Sequence, residues 1–266
     1  MAPPAFVRLA AHPVRWQLLS TLATGDYRVR ELVELVGQPQ NLVSYHLRLL
    51  REGELVAMRR SSFDARDGYY HLDLDRCAEM LAATGAALHP AFGKAATGAA
   101  LHPAFGKAAT GAALHPAFNS AEPNLPRQSR ILFACTGNSA RSPIAEALLR
   151  HRSAGAVEVT SAGSRPRDRI HPATVRVLAE DYGIDIAGQR PRHLETMTGQ
   201  HFDYVISLCD KVREVFPEFP GDPRRVHWSI PEPTAEAAFR RTAQELDTRI
   251  GYLIHDMGGA SDGYQR

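Results

Sequence analysis

The residues best suited to chemistry are Cys135-Thr136-Gly137-Asn138-Ser139-Ala140-Arg141-Ser142-Pro143, in which five residues separate a cysteine from an arginine. That length lets the chain curl so that the amide N–H groups of Thr136, Gly137, Asn138, Ser139 and Ala140 point inward around a tetrahedral oxyanion. A helix starting directly afterwards aims its positive N-terminus at the same point. Cys135, at the floor of the loop, would be held as a thiolate by these dipoles and by Arg141, which makes it a nucleophile. Arg141 can clamp two oxygens of the anion, Ser142 can donate to the thiolate, and Pro143 suits a first helical turn.

Such a loop needs a strand before it and a helix after it. The run Arg130-Ile131-Leu132-Phe133-Ala134-Cys135 predicts the strand and residues 142–150 the helix. Further strands are expected at 157–160, 204–208 and 225–228, with helices near 172–181 and 234–255. Short strands alternating with helices predict an α/β domain, a parallel sheet with helices on both faces.

The chain before residue 83 has another pattern. Val14, Leu18, Leu19 and Leu22 form one apolar helical face, and Val29, Leu32, Val33 and Val36 another that Gly37 stops. A third helix follows the turn at Pro39, with Val43, Leu47 and Leu50 inward, and 55–60 and 68–72 read as a hairpin. Helix, helix, tight turn, helix and hairpin is the order of a winged helix-turn-helix. The second helix of that motif enters the major groove of double-stranded DNA. Its solvent side offers Gln40, Asn41, Ser44, Tyr45, His46 and Arg48 to base edges and phosphates, and the hairpin offers Arg59 and Arg60. Segment 27–66 holds seven arginines against five acids, a local excess.

Between the halves, Ala-Thr-Gly-Ala-Ala-Leu-His-Pro-Ala-Phe-Gly-Lys-Ala runs from 83 to 95, repeats at 96–108 and fades in a third copy after Phe118. Each unit carries a Gly and a Pro, so at most a short helical turn is expected in it, ending before the Pro. His89, His102 and His115 recur without neighbouring Cys or Asp, which is not ligand spacing. His151, His171, His193 and His255 show no metal pattern either, so no metal site is expected. The division is then 1–82 for a mainly-α DNA-binding domain, 83–129 for a repeat linker and 130–266 for an α/β domain.

The whole-chain balance agrees with this organisation. A net charge of +2 over 266 residues gives no global field toward nucleic acid, so DNA affinity must come from a local patch. Cys77, Cys135 and Cys209 are too few and too scattered for a disulfide framework. No run approaches the roughly 18 apolar residues of a membrane helix, and a cytoplasmic protein is expected.

The N-terminal part, through Leu32-Val33-Glu34-Leu35-Val36-Gly37 and 43–56, resembles the ArsR-type family of small dimeric repressors. The resemblance implies a homodimer built on a C-terminal helix that starts near Leu74 and enters the first repeat. Residues 28–36 hold no cysteine, which argues against thiolate sensing of a metalloid there.

The chain from Arg130 onward resembles the low-molecular-weight protein tyrosine phosphatases and their arsenate reductase relatives. The oxyanion loop, 160–163, 183–186 and 202–209 carry the likeness. It implies a flavodoxin-like sheet of four parallel strands and makes Cys209 the resolving cysteine of a reductase. Segment 227–233 resembles the reductase stretch that supplies an acid before a proline, so Glu232 is the expected general acid. Asp210 is a rival acid or a solvated helix cap. Glu146 and Ser161 either buttress Asn138 or, for Glu146, face solvent. Residues 211–220 contain no further cysteine, so an external thiol reductant of thioredoxin type is expected, with no bound cofactor.

Together these imply a DNA-binding regulator fused to a thiol-dependent arsenate reductase. The alternatives are a fused phosphatase acting on a phosphorylated substrate, or a regulator whose loop senses an oxyanion without turnover.

Overall fold

A computed structural model describes residues 2–89 and 129–259. The second and third repeat copies, with His102 and His115, lie outside the described residues. The chain divides into two compact units, the first holding the described N-terminal residues up to 59 and from 68 onward, the second holding residues 60–67 with the chain from residue 129.

The first unit runs α1 (Ala5–Ala10), α2 (Pro13–Leu22), β1 (Tyr27–Arg28), α3 (Val29–Val36), α4 (Gln40–Glu52), β2 (Val56–Arg60), β3 (Gly68–Leu72) and α5 (Leu74–Leu88). Local rules set the helix ends. His12 Nδ1 accepts the Val14 N–H at the start of α2, where Pro13 fits because no N–H is needed. The Glu31 carboxylate accepts the Arg28 N–H, and Gly37 closes α3 at φ +65°. Asp73 caps α5 by accepting the Arg76 N–H. The expected apolar faces meet in one core of Val14, Leu18, Leu22, Leu32, Val43, Leu47 and Leu50. The strands form a small sheet in the order β1-β3-β2. Helix α5 runs from Leu74 into the first repeat as expected and ends at Leu88, before His89 and Pro90, with Gly85 inside it. A single glycine costs a helix only about 1 kcal/mol, which its flanking alanines and leucine outweigh.

The second unit runs β4 (Arg130–Cys135), α6 (Arg141–Arg152), β5 (Glu158–Gly163), α7 (Pro172–Tyr182), a 3-10 turn (Leu194–Met197), β6 (Tyr204–Ser207), α8 (Asp210–Glu214), β7 (Arg224–His227) and α9 (Glu236–Gly259). Its four strands are parallel in the order β5-β4-β6-β7. Ile131, Leu132, Phe133 and Ala134 are all fully buried. Successive strand residues point to opposite faces, so the central strand is covered on both. Helix α6 packs on β4, β5 and α9, and Arg152 grips Asp247 of α9 with two hydrogen bonds of 2.5 and 2.6 Å. The sheet positions the chemistry at its carboxyl edge: Cys135 ends β4 beside Gly163 at the end of β5, and β6 leads to Cys209. No described helix is long and apolar enough to cross a membrane.

Candidate active site: a cysteine in an oxyanion loop

Cys135 leaves β4 at the floor of the loop, 2% exposed, and its Sγ lies 3.0 Å from Ser142 Oγ in the first turn of α6. Asn138 adopts φ +43°, a left-handed conformation that asparagine tolerates better than most residues. Its Nδ2 donates to Ser142 Oγ at 2.9 Å and to Ser161 Oγ at 2.8 Å, so the loop is tied at once to α6 and to β5. Ser161 in turn donates to Glu146 Oε2.

Glu146 and Ser161 thus take the buttressing role, and the solvent-facing alternative for Glu146 is excluded. Glu146 is 1% exposed and receives Ser161, Gln189, Arg150 and both oxygens' worth of Arg192. Arg192 grips the loop a second time, its backbone N–H donating to Asn138 Oδ1 at 2.7 Å. Sequence reasoning missed Arg192 and Gln189, because nothing local marks a residue that acts from 43 or more positions away.

The carbonyls of the loop are turned outward and held there. Those of Cys135, Thr136, Gly137 and Ser139 accept from the N–H groups of Ser164, Arg165, Arg167 and His171, and Thr174 Oγ1 adds a bond to Ser139. With carbonyls fixed outward, the amides of Gly137 to Ala140 donate to no backbone carbonyl among the described residues. They are free to serve an anion. Arg141 closes the loop, 5% exposed, donating from Nη1 to the Ile230 carbonyl at 2.9 Å. Its Nη2 is 3.6 Å from Glu232 Oε2, whose side chain is 66% exposed. The structure therefore brings Glu232 to the rim of the site.

Cys209 comes to the same place from β6. Its Sγ is 3.3 Å from Thr136 Oγ1, one residue from Cys135, and 2% of the residue is exposed. Burial pushes its thiol up, with Cys135 adding to the shift, against the opposing pull of Arg141 and of hydrogen bonds from Thr136 and Val212. Asp210, the next residue, is not the solvated cap expected of it. It is buried, and its Oδ1 accepts from His227 Nε2 at 3.0 Å and Ser229 Oγ at 2.8 Å, while His227 Nδ1 meets Ser207 Oγ at 2.8 Å. Burial alone would raise its carboxyl, but the hydrogen bonds it accepts, that from His227 foremost, outweigh it and hold the group below the usual carboxylate range. This anchors the start of α8 directly beside Cys209.

In the first unit, Gln40, Asn41, Ser44, Tyr45 and Arg48 lie exposed on α4, with the Arg48 guanidinium over the Tyr45 ring. Arg60 is exposed and Arg59 half-buried on β2. His46 departs from the expected set. It is 3% exposed, and its ring packs on His12 with centroids 4.3 Å apart. It falls three residues after Val43 and four before Leu50, on the helix's inward face, and that spacing was the signal against it. No group of three or more His, Cys, Asp or Glu is assembled to hold a metal among the described residues.

The second unit is a parallel-sheet α/β domain presenting a cysteine inside an oxyanion loop. Residues 130–260 match the low molecular weight phosphotyrosine protein phosphatase family, and residues 12–57 match the arsR family of bacterial regulatory proteins. The glutaredoxin arsenate reductase of Synechocystis sp. is 32% identical over 127 residues, 47% of this chain and 95% of that protein. An arsenate reductase of Halalkalibacterium halodurans is 35% identical over 128 residues, 45% of this chain and 91% of its own. A solved arsenate reductase in the phosphate binding state is 30% identical, over 48% of this chain and 98% of that one, with a TM-score of 0.45. From Arg130 onward the chain belongs to the low molecular weight phosphotyrosine protein phosphatase family, preceded by an ArsR-type helix-turn-helix.

Proposed function

We propose that the chain is a cytoplasmic arsenate reductase fused to an operator-binding regulator. The observation that carries the reductase reading is the second thiol: Cys209 reaches the oxyanion loop at Thr136, beside Cys135. In the reaction the Cys135 thiolate attacks arsenic while the loop amides and Arg141 hold the arsenate oxygens. Glu232 protonates the departing oxygen, which leaves as water. The Cys209 thiolate then attacks Cys135 Sγ. A sulfur–sulfur bond forms, the sulfur–arsenic pair of electrons stays on arsenic, and arsenite departs. Arsenic(V) has been reduced by two electrons and the protein oxidised by two, so an external thiol must restore it. The side chains of Ser142, Asn138 and Ser161 position the nucleophile.

Single turnover with arsenate and no reductant tests the reading. Intact mass and free-thiol counts should show one disulfide and a free Cys77 in wild type. The Cys209→Ser variant should instead stop at a Cys135 adduct. If the wild-type protein keeps all its thiols and hydrolyses an aryl phosphate, with Cys209→Ser unchanged in that activity, the phosphatase reading takes its place.

The first unit supports operator binding through Gln40, Asn41, Ser44, Tyr45 and Arg48 on α4 and Arg59 and Arg60 on the wing, as a homodimer. Duplex binding that weakens steeply with salt is the expected result, and no binding at low salt would refute it.

A further inference from the structure

The segment that pins the loop's outward carbonyls, 164–171, carries three arginines at alternate positions, Arg165, Arg167 and Arg169. All three are exposed, and none makes a hydrogen bond or ion pair through its guanidinium among the described residues. Asp168 is the one acid in the segment. Their backbone is not loose, since Arg165 and Arg167 donate their own N–H groups to Thr136 and Gly137 at 2.8 and 2.9 Å. Arg167 lies against the loop: a Cβ on Gly137 would sit 3.3 Å from its Cγ and 3.7 Å from its Nε. Arg167 is thus placed at the rim of the site, outside the oxyanion loop, with Arg165 and Arg169 exposed on either side of it along the same segment. The oxyanion itself has the loop amides and the buried Arg141 for partners, so three further guanidiniums answer to a different group.

The thiol inventory indicates which one. The reaction proposed above ends with a Cys135–Cys209 disulfide, and the chain's remaining cysteine, Cys77, is buried with its Sγ on the Leu55 carbonyl. The reducing electrons come from outside. Cys135 and Cys209 are each 2% exposed, so a narrow molecule reaches their sulfurs more readily than a protein surface does.

We infer that Arg165, Arg167 and Arg169 form a docking site for the carboxylates of a small anionic thiol, the reductant of the Cys135–Cys209 disulfide. This rests on the reductase reading. Its thiolate attacks one sulfur of the pair, the sulfur–sulfur bond breaks, and a mixed disulfide forms while the released protein thiolate takes up a proton. A second thiolate attacks the mixed disulfide, leaving both protein thiols reduced and the small thiol as its symmetric disulfide. Two electrons and two thiols balance the step. The rim raises the local concentration of an anionic thiol and has no such effect on a neutral one.

The experiment uses the full chain, oxidised by one arsenate turnover or by diamide, and follows reduction by mercaptosuccinate, 2-mercaptoethanol and cysteamine. The wild-type to variant rate ratio for each thiol cancels that thiol's own acidity. For R165Q/R167Q/R169Q we expect mercaptosuccinate reduction to slow about tenfold at low salt, the difference shrinking as salt screens the rim. Reduction by 2-mercaptoethanol should stay within about twofold and that by cysteamine should stay level or rise. The charge-preserving R165K/R167K/R169K should behave as wild type. Equal ratios for the three thiols, or the same loss in the Gln and Lys variants, overturn the inference. Arsenate leaving all thiols free, with diamide still forming the pair, refutes the reductase reading alone and leaves the rim to be judged on the diamide-oxidised protein. If neither oxidant joins Cys135 to Cys209, both fall.

Discussion

The space a Cβ on Gly163 would need is taken by the carbonyl oxygen of Thr136, 2.6 Å away, with the Asn138 amide nitrogen at 2.9 Å. The end of β5 and the oxyanion loop are packed backbone to backbone, with no flexible side chain to yield. Gly163→Ala must therefore displace the loop itself. The expected result is a loss of arsenate turnover on the order of 10²-fold, since sub-ångström placement governs the reacting geometry. Kinetics together with a melting curve check this. A variant with wild-type turnover would show that the loop tolerates the shift.

Arg192 holds the loop through two bonds to buried Glu146 and one to Asn138. Arg192→Met leaves the carboxylate with Arg150, Ser161 and Gln189, and is expected to cost about 1–3 kcal/mol of stability. Adding Glu146→Gln removes the buried charge and should recover part of that loss, a coupling visible in denaturant titrations of the single and double variants. Strict additivity would place Arg192 outside the network.

Thiol labelling should separate the cysteines by pH. Burial pushes Cys77 up to about 12, with Asp73 adding to the effect, and Cys209 is pushed up chiefly by burial. Only the thiolate reacts, so iodoacetamide labelling of both should climb about tenfold per pH unit from pH 7 to 9 without levelling. Peptide mass spectrometry at a series of pH values measures this. A plateau near pH 8.5 would mean an ordinary, accessible thiol.

His46 carries a pH dependence of the opposite sense. Burial, then His12 and Arg15, lower its pKa below the usual 6.5. The native state therefore binds this proton less readily than the unfolded chain. Stability from the neutral form is present above about pH 6.5 and lost as pH falls below it. Unfolding of the first unit, followed by hydrogen exchange in α4, should ease between pH 7 and 5. His46→Leu should flatten that slope.

The elements were legible in the sequence wherever local rules act. Apolar periodicity placed the helices of the first unit and the run Ile131–Ala134, and the spacing from Cys135 to Arg141 marked the loop, because curling a short segment around an anion is a local geometric demand. The same logic failed for His46, whose helical phase lay with Val43 and Leu50 while its polarity suggested solvent. It failed for Asp210 too, since an acid at a helix start reads as exposed unless His227 and Ser229 are known to face it.

The sequence by itself determined that a cysteine and an arginine would bracket a tight loop between a strand and a helix, and that a polar helix face would stand ahead of a basic hairpin. Tertiary structure alone decided what holds the loop in place. Glu146, Ser161, Arg192 and Gly163, and the arginine-bearing segment over the rim, reach Asn138, Thr136 and Gly137 from distant positions. So does Cys209, brought to Thr136 by the end of a neighbouring parallel strand. Parallel strands join only through long crossovers, so residues that share one edge of the sheet are far apart in the chain, and no local pattern records their meeting.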